Sequence, residues 1–216
     1  MSKKYEIFLF DLDGTITDSA LGITNSVMYA LKKFGIEETD RTKLYKFIGP
    51  PLTESFEKFY GFTKEQSLDG VKYYREYYHD KGIYENRVYD GLEEVLKKIN
   101  EAGKQAIIAT SKPEKYAKII IDHFHLTQYF ACVAGMEMDG GRGTKAQVIT
   151  YALEKNDITD KSNVLMIGDR EHDVIGAHEN GLDCLGILYG FGSRKEFEEA
   201  GADYIRENVE DILQFV

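Results

Sequence analysis

Ile7-Phe8-Leu9-Phe10 runs straight into Asp11-Leu12-Asp13-Gly14-Thr15, and this junction decides the reading of the chain. Four apolar residues in a row have the length and composition of a strand covered on both faces. The pattern recurs. Ala106-Ile107-Ile108-Ala109 meets Thr110-Ser111-Lys112, and Val164-Leu165-Met166-Ile167 meets Gly168-Asp169, with Asp173 four residues on. Phe130-Ala131-Cys132-Val133-Ala134 and Cys184-Leu185-Gly186-Ile187-Leu188 are further runs of this kind. Between the runs, Leu92, Val95, Leu96 and Ile99 stand at offsets of three and four, as do Ala117, Ile120, Ile121 and Phe124, then Ile149, Ala152 and Leu153. That spacing lines one face of a helix. Strand and helix in alternation imply right-handed crossovers and an α/β fold built on a doubly wound parallel sheet.

Residues 16–88 break the rhythm and read as helices without strands. Ile23, Val27, Ala30, Leu31 and Phe34 share a face, and further helical segments follow near Leu52–Tyr60 and 64–79. Asp18 or Ser19 is the expected N-cap of the first of these helices, accepting a backbone N–H. Gly49-Pro50-Pro51 punctuates the block, and Tyr89-Asp90-Gly91 reads as the turn back to the sheet. The expected organisation is therefore an α/β core of residues 1–15 and 89–216, interrupted by a helical insertion at 16–88. Tyr74, Tyr77 and Tyr78 share a helical face and read as packing of that insertion, with stacking of Tyr73 or Tyr77 on a nucleobase or sugar as the alternative.

The chain has 216 residues, 43% hydrophobic and 30% charged, an ordinary globular mixture with room for a sizeable core. Its net charge of −10 gives it no global attraction to nucleic acid phosphates. An anionic substrate would need a local positive charge or a cation. Cys132 and Cys184 form no disulfide framework, no apolar run has the length of a membrane span, and Met1 opens no signal-peptide core. The five histidines show no zinc-binding spacing, and Gly140-Gly141-Arg142-Gly143 is no phosphate-binding Walker loop. A cytoplasmic protein is expected, with no nucleic acid polymer and no membrane as partner; monomer and dimer stay open.

In an open parallel sheet, ligands bind beyond the carboxyl ends of the strands. Position in the sequence thus directs Asp11, Asp13, Thr110, Asp169 and Asp173 towards one crevice. Each has a plainer reading. Asp11 resembles a cap, Thr110 and Ser111 fit the start of the next helix, and Lys145 alone reads as a solvated surface lysine. Asp173 is an unfavourable i+4 neighbour for Asp169 on a bare helix end. The ordered recurrence at corresponding strand ends favours the crevice. Carboxylates gathered there would raise each other's pKa unless a cation joined them, and an oxygen-only set with few carboxylates suits Mg²⁺. Lys145, in Gly143-Thr144-Lys145, is the candidate counter-charge for a phosphate.

The ordered set resembles the haloacid dehalogenase-like hydrolases, over essentially the whole chain. The first motif of that superfamily, DxDGTxxDS, matches Asp11, Asp13, Gly14, Thr15, Asp18 and Ser19, and its second, a Thr or Ser closing an apolar strand, matches Thr110. The lysine of the third maps onto Lys145, and the fourth, GDxxxD with a downstream small residue and Gly, onto Gly168, Asp169, Asp173, Ala177 and Gly181. The resemblance implies a Rossmann-like core with a helical cap, in the phosphoglycolate phosphatase-like or 5′-nucleotidase-like branch. It implies a phosphatase of small phosphorylated metabolites, with Asp11 as the nucleophile that becomes an aspartyl-phosphate and Asp13 as acid and base. Mg²⁺ would be held by Asp11, the Asp13 backbone carbonyl and Asp169, with Asp173 orienting its water or Lys145. Thr110, the Ser111 N–H and Lys145 would bind the phosphate.

Asp13 separates reactions within this superfamily, because a halide leaving group needs no proton. Its presence points to a phosphate ester or anhydride, leaving phosphoryl mutase and pyrophosphatase as alternatives. Arg170-Glu171-His172 stands where many relatives carry a small or hydroxyl residue; Arg170 and His172 are candidates for the pocket rim, and Glu171 for a solvated helix start. A receiver-type signalling domain also holds a phospho-aspartate on a doubly wound sheet, but has no use for Asp13 or for a large helical insertion.

Overall fold

In this computed structural model, which describes residues 3–138 and 141–216, each apolar run of the α/β part is a strand. Along the chain, β1 (Ile7–Phe10) and β2 (Thr17–Asp18) lead into α1 (Ala20–Lys33), α2 (Leu52–Tyr60) and α3 (Lys64–Tyr77), and β3 (Arg87–Val88) returns. Then follow α4 (Leu92–Glu101), β4 (Gln105–Pro113), α5 (Glu114–His123), β5 (Cys132–Met136) and α6 (Lys145–Lys155). The last part holds β6 (Val164–Gly168), α7 (Glu171–Glu179), β7 (Asp183–Ile187), α8 (Arg194–Ala200) and β8 (Tyr204–Arg206). The chain divides into two units, Met1–Thr17 with Val88–Val216, and Asp18–Arg87.

The first unit is a six-stranded sheet in the order β5-β4-β1-β6-β7-β8, all pairs parallel. β1 is central, and the chain leaves it first towards β4 and later returns to its other side as β6. That reversal makes the end of β1 the topological switch point. Phe10 pairs with both Ile108 and Ile167, so Asp11, Thr110 and Asp169 emerge at nearly the same level. Leu9, Ile107, Val164 and Met166 form one covered face of the sheet with Val148, Ile149 and Val174 from the helices. Close packing is built in: a Cβ on Gly186 of β7 would come 2.6 Å from the Phe197 ring of α8.

The second unit is mainly helical. Ile23, Val27, Ala30 and Leu31 of α1 are buried as the periodicity predicts. The tyrosines of α3 and the turn after it pack within this unit: Tyr74 and Tyr78 are buried and stacked at 5.2 Å, Tyr73 meets Phe34, and Tyr77 meets Tyr29 while donating to Glu85.

Local readings need correction in four places. Residues 16–88 are not strand-free: β2 and β3 pair as a ribbon, each only two residues long and so without any run to betray it. Ser19 is the cap residue of α1 but its hydroxyl makes no cap bond; Asp18 Oδ1 accepts the Ala20 N–H instead, at 3.2 Å. Thr110 and Ser111 do not cap α5, because β4 continues through them to Pro113. The fifth strand starts at Cys132, two residues later than Phe130, and Gly140 of the glycine-rich turn lies outside the described residues. Among the described residues, no helix is long and apolar enough to cross a membrane.

Leu9 sits in the middle of the central strand with no exposed surface, whereas Leu21 is 50% exposed. Leu9→Ala is expected to lower the unfolding free energy by about 2–5 kcal/mol, the range for buried leucine truncations. Leu21→Ala should change it by less than about 0.5 kcal/mol. Urea unfolding of both variants checks the contrast.

Candidate active site

Asp11 is the first residue beyond β1, and its N–H donates to the Ile167 carbonyl at 2.9 Å, which ties it to β6. The chain then turns sharply. Thr15, Ile16 and Thr17 N–H groups all donate to the Leu12 carbonyl, and Gly14, at φ +88°, donates to Thr17 O at 2.7 Å. Only glycine fits there: a Cβ on Gly14 would lie 2.0 Å from Asp169 Oδ2. Asp169 itself follows β6, its Oδ2 accepting the Phe191 N–H at 2.8 Å. Phe191 stands between two glycines that make the same allowance, since a Cβ on Gly190 would fall 2.4 Å from the Asp169 Cβ, and one on Gly192 2.0 Å from the Asp169 carbonyl oxygen.

Lys145 is the first residue of α6, fixed by the capping box of Thr144 and Gln147. It is no surface lysine. Its Nζ lies 2.7 Å from Asp11 Oδ1, 2.8 Å from Asp173 Oδ1 and 3.0 Å from the Ala109 carbonyl oxygen. Two of its N–H groups thus donate hydrogen bonds, to Asp11 and the Ala109 carbonyl, and Asp173 is held as an ion pair. Asp173 reaches this position from the first turn of α7, where its Oδ2 also accepts the Arg170 N–H at 3.1 Å. Gly168 and Gly176 keep the approach open, because side chains there would collide with Asp173 and Lys145.

Thr110 is buried, and its Oγ1 accepts the Lys112 N–H at 3.2 Å, so the hydroxyl hydrogen remains available to donate. Ser111 is partly exposed beside it. Asp13 stands opposite a residue to which the sequence reading assigned no role: Lys112 Nζ lies 2.6 Å from Asp13 Oδ2. The only trace in the sequence was a lysine two places after Thr110. The Tyr189-Gly190-Phe191-Gly192 loop was missed as well, although its paired glycines follow a strand neighbouring β6. Arg170 is engaged elsewhere, its Nε donating to Glu196 Oε1 at 2.8 Å, the same oxygen that accepts the Glu171 N–H. Those bonds fasten the start of α7 to α8; His172 is half-buried.

The buried charged residues among those described are Asp11, Asp13, Lys112, Lys145, Asp169 and Asp173, and they are gathered in this one region of the α/β unit. Four carboxylates face two ammonium groups, which leaves two negative charges uncompensated when all are ionised. Carboxylate oxygens of Asp11, Asp169 and Asp173 lie within 4.8 Å of one another. Two unit charges at such a distance repel by roughly 3–4 kcal/mol at an effective dielectric constant of about 20. Burial pushes the Asp169 carboxyl well above the usual range, and Asp173 and Asp11 add to the rise. Burial opposes the charge on Lys145, but Asp11 and Asp173 outweigh it and hold its pKa up. Asp169 Oδ1 is buried with no partner. A hard divalent cation fits this place in charge, donor type and the orphaned oxygen it would satisfy.

Comparison with known proteins agrees with the geometry. The family model described as haloacid dehalogenase-like hydrolase matches residues 8–187. A 5′-nucleotidase of Pseudomonas aeruginosa is 44% identical over 193 residues, covering 89% of this chain and 87% of that protein. The tyrosine-protein kinase PtkA of Mycobacterium tuberculosis is 35% identical over 87% of this chain, which spans 63% of that longer protein. The crystal structure of a predicted phosphatase from Clostridium acetobutylicum superposes with a TM-score of 0.94 at 47% identity, covering 98% of each chain. On the match through residues 8–187 and these relatives, the chain belongs to the haloacid dehalogenase-like hydrolases.

Proposed function

We propose that this hydrolase is a Mg²⁺-dependent phosphomonoesterase of small metabolites that works through an aspartyl-phosphate on Asp11, with 5′-nucleotides as the leading substrate class. The observation that carries the reading is the pair Asp11 and Asp13, two buried acids, each facing a different buried lysine. One acid suffices for a nucleophile; the second has a use where a leaving alcohol must be protonated.

A carboxylate oxygen of Asp11 forms a bond to phosphorus as the ester P–O bond breaks, and the electron pair goes to the leaving oxygen. Asp13 gives that oxygen a proton, so the product departs as an alcohol. Water then attacks the phosphorus of the aspartyl-phosphate, Asp13 takes the proton back, and inorganic phosphate leaves with Asp11 restored. The Thr110 hydroxyl and the Ser111 N–H serve the non-bridging phosphate oxygens. Lys145 holds Asp11 and Asp173 in register for the attack. Asp11, Asp169 and the Asp13 backbone carbonyl, with Asp173 alongside, would hold a divalent cation, which would supply the charge neutralisation an anionic nucleophile needs to approach an anionic phosphate.

In this reading the α/β unit carries the chemistry and the helical unit serves as the family's cap. The likeness to a 5′-nucleotidase supports a nucleotide as the alcohol partner. Unpaired Cys132 and Cys184 support a reducing, cytoplasmic setting. A receiver-type switch would leave Asp13 without work. The decisive experiment is a panel of nucleoside monophosphates, 2-phosphoglycolate, sugar phosphates, pyrophosphate and phosphotyrosine, ranked by kcat/KM for phosphate release. Isomerisation of a sugar phosphate without release would point to a mutase, and stoichiometric self-phosphorylation without turnover to a switch.

Asp11→Asn is expected to cut phosphate release on the order of 10⁴-fold or more, as loss of a nucleophile does. Its circular dichroism should match the wild type.

The metal reading has its own signature. Mg²⁺ at a hundred times its Kd should stabilise the wild-type protein by about 2.7 kcal/mol. Asp169→Asn removes a buried, poorly compensated charge, so it should raise the thermal midpoint of the metal-free protein while abolishing the response to Mg²⁺. Differential scanning fluorimetry with and without chelator reads both effects.

A further inference from the structure

Lys112 lies on an irregularity in the sheet. Thr110 pairs with Gly135 and Pro113 with Met136, so β4 advances three residues while β5 advances one. Ser111 and Lys112 therefore bulge out of the ladder, a device that re-aims side chains beside active sites. The distortion is held from both sides. The Lys112 N–H donates to Thr110 Oγ1, and β5 presses so closely that a Cβ on Gly135 would come 2.6 Å from the Lys112 carbonyl oxygen.

The bulge turns a lysine inward. The side chains of Lys112 and Asp13 are only 5% and 12% exposed, and their contact is a 2.6 Å ion pair. Burying an ammonium group is costly, and a fold needing only to fill this space would be served by an apolar side chain. The pair also treats the two carboxylate oxygens of Asp13 differently. Oδ2 is bound to Lys112, while Oδ1 is buried with no partner. A buried oxygen without a hydrogen bond is expensive to maintain unless another molecule uses it.

We propose that Lys112 is a positioning residue for the reaction: it grips Asp13 by Oδ2 and so keeps Oδ1 as the oxygen that exchanges protons with the leaving group and with water. The inference rests on the reading of Asp13 as the proton carrier. Lys112 touches no reacting atom in this scheme, and its whole effect passes through the orientation of Asp13. Its loss is therefore felt only in steps where a proton must move. An alkyl alcohol needs that proton to depart, whereas p-nitrophenolate departs without it. Breakdown of the aspartyl-phosphate needs a base whichever substrate formed it.

Lys112→Met and Lys112→Arg test this in the full-length enzyme with Mg²⁺. The substrates are p-nitrophenyl phosphate and the alkyl monoester that the wild type hydrolyses fastest. For the alkyl ester, Lys112→Met should lower kcat on the order of 10²-fold, within the range that general acid–base catalysis contributes. Its KM should stay within about threefold, the mark of an interaction that matters in the transition state. With p-nitrophenyl phosphate, stopped-flow absorbance should show a burst near one equivalent followed by slow turnover, with the phosphoenzyme trapped by acid quench. Lys112→Arg should recover part of the rate.

Unchanged kcat for both substrates would overturn the proposal. So would a rise in KM with kcat kept, which marks Lys112 as a phosphate ligand, or equal losses on both substrates without a burst. Unfolding midpoints establish that each variant is folded; where Met is not tolerated, Lys112→Gln gives the same readings. Asp13→Asn separates the two levels. If it retains wild-type turnover of the alkyl ester, the role of Asp13 itself is wrong; if it is impaired while Lys112→Met is not, only the role of Lys112 falls.

Discussion

Like charges brought together away from water are the constraint around which this structure is organised. Asp11, Asp169 and Asp173 offer oxygens within 4.8 Å of one another, at the place where the sheet reverses its strand order. Lys145 makes the arrangement tolerable, and it does so from an electrostatically poor position. It begins α6, where the helix dipole disfavours a cation. Only the two carboxylates in its reach outweigh that cost together with the cost of burial. Asp173 has the opposite placement: an acid in the first turn of α7, where the dipole favours it. The acids are therefore set by backbone and helix ends, and the lysine is drawn to them.

Steric allowance is the second half of the arrangement. Gly14, Gly168, Gly176, Gly190 and Gly192 come from four separate places in the fold, and a side chain at each would strike Asp169, Asp173 or Lys145. These glycines bring backbone against carboxylate, which is how Phe191 can donate its N–H to Asp169. The result is asymmetric satisfaction: Asp169 Oδ2 is held while Oδ1 is left bare, and Asp13 shows the same split. In each acid one oxygen fixes the geometry and the other is left for chemistry. Such a site is less stable than an apolar filling would be, and the covered sheet around Leu9, Val164 and Met166 must offset it.

Much of this was legible from local pattern, and the exceptions have physical causes. Continuous apolar runs disclose buried parallel strands, and polar residues at their ends disclose the rim, so Asp11, Asp13, Thr110 and Asp169 could be read from sequence. A lysine is harder. Its stem is apolar and its head charged, so burial leaves no mark on sequence. Lys145 was found through spacing alone, and Lys112 showed only its place two residues after Thr110, because its burial depends on a two-residue bulge set by the register of β4 against β5. Ser19 failed in another way. Two candidate caps stood side by side, and it is Asp18, in the β2–β3 ribbon that periodicity does not show, whose side chain accepts the Ala20 N–H. The role of Tyr74 and Tyr78 followed the simpler reading, since aromatic residues at helical spacing pack on each other before they meet a ligand.

The partners of Lys145 also refine what it can do in the proposed reaction. An ammonium group has three donors; two are taken in hydrogen bonds to Asp11 and the Ala109 carbonyl, and the charge is also paired with Asp173 at 2.8 Å. A phosphate oxygen would compete with Asp173 for the third donor, so a direct bond would loosen that ion pair or displace one of the two hydrogen bonds. The carbonyl is the cheapest to release, being neutral where Asp11 and Asp173 are charged. If none is released, Lys145 acts on the phosphate through its field alone, holding the nucleophile while reducing the negative charge the phosphate meets. A lysine suits that work better than an arginine, whose planar fork could not point at three oxygens spread around one nitrogen. The same logic separates the two lysines: one is shared between Asp11 and Asp173 and stabilises the cluster, while the other pairs with Asp13 and gives it direction.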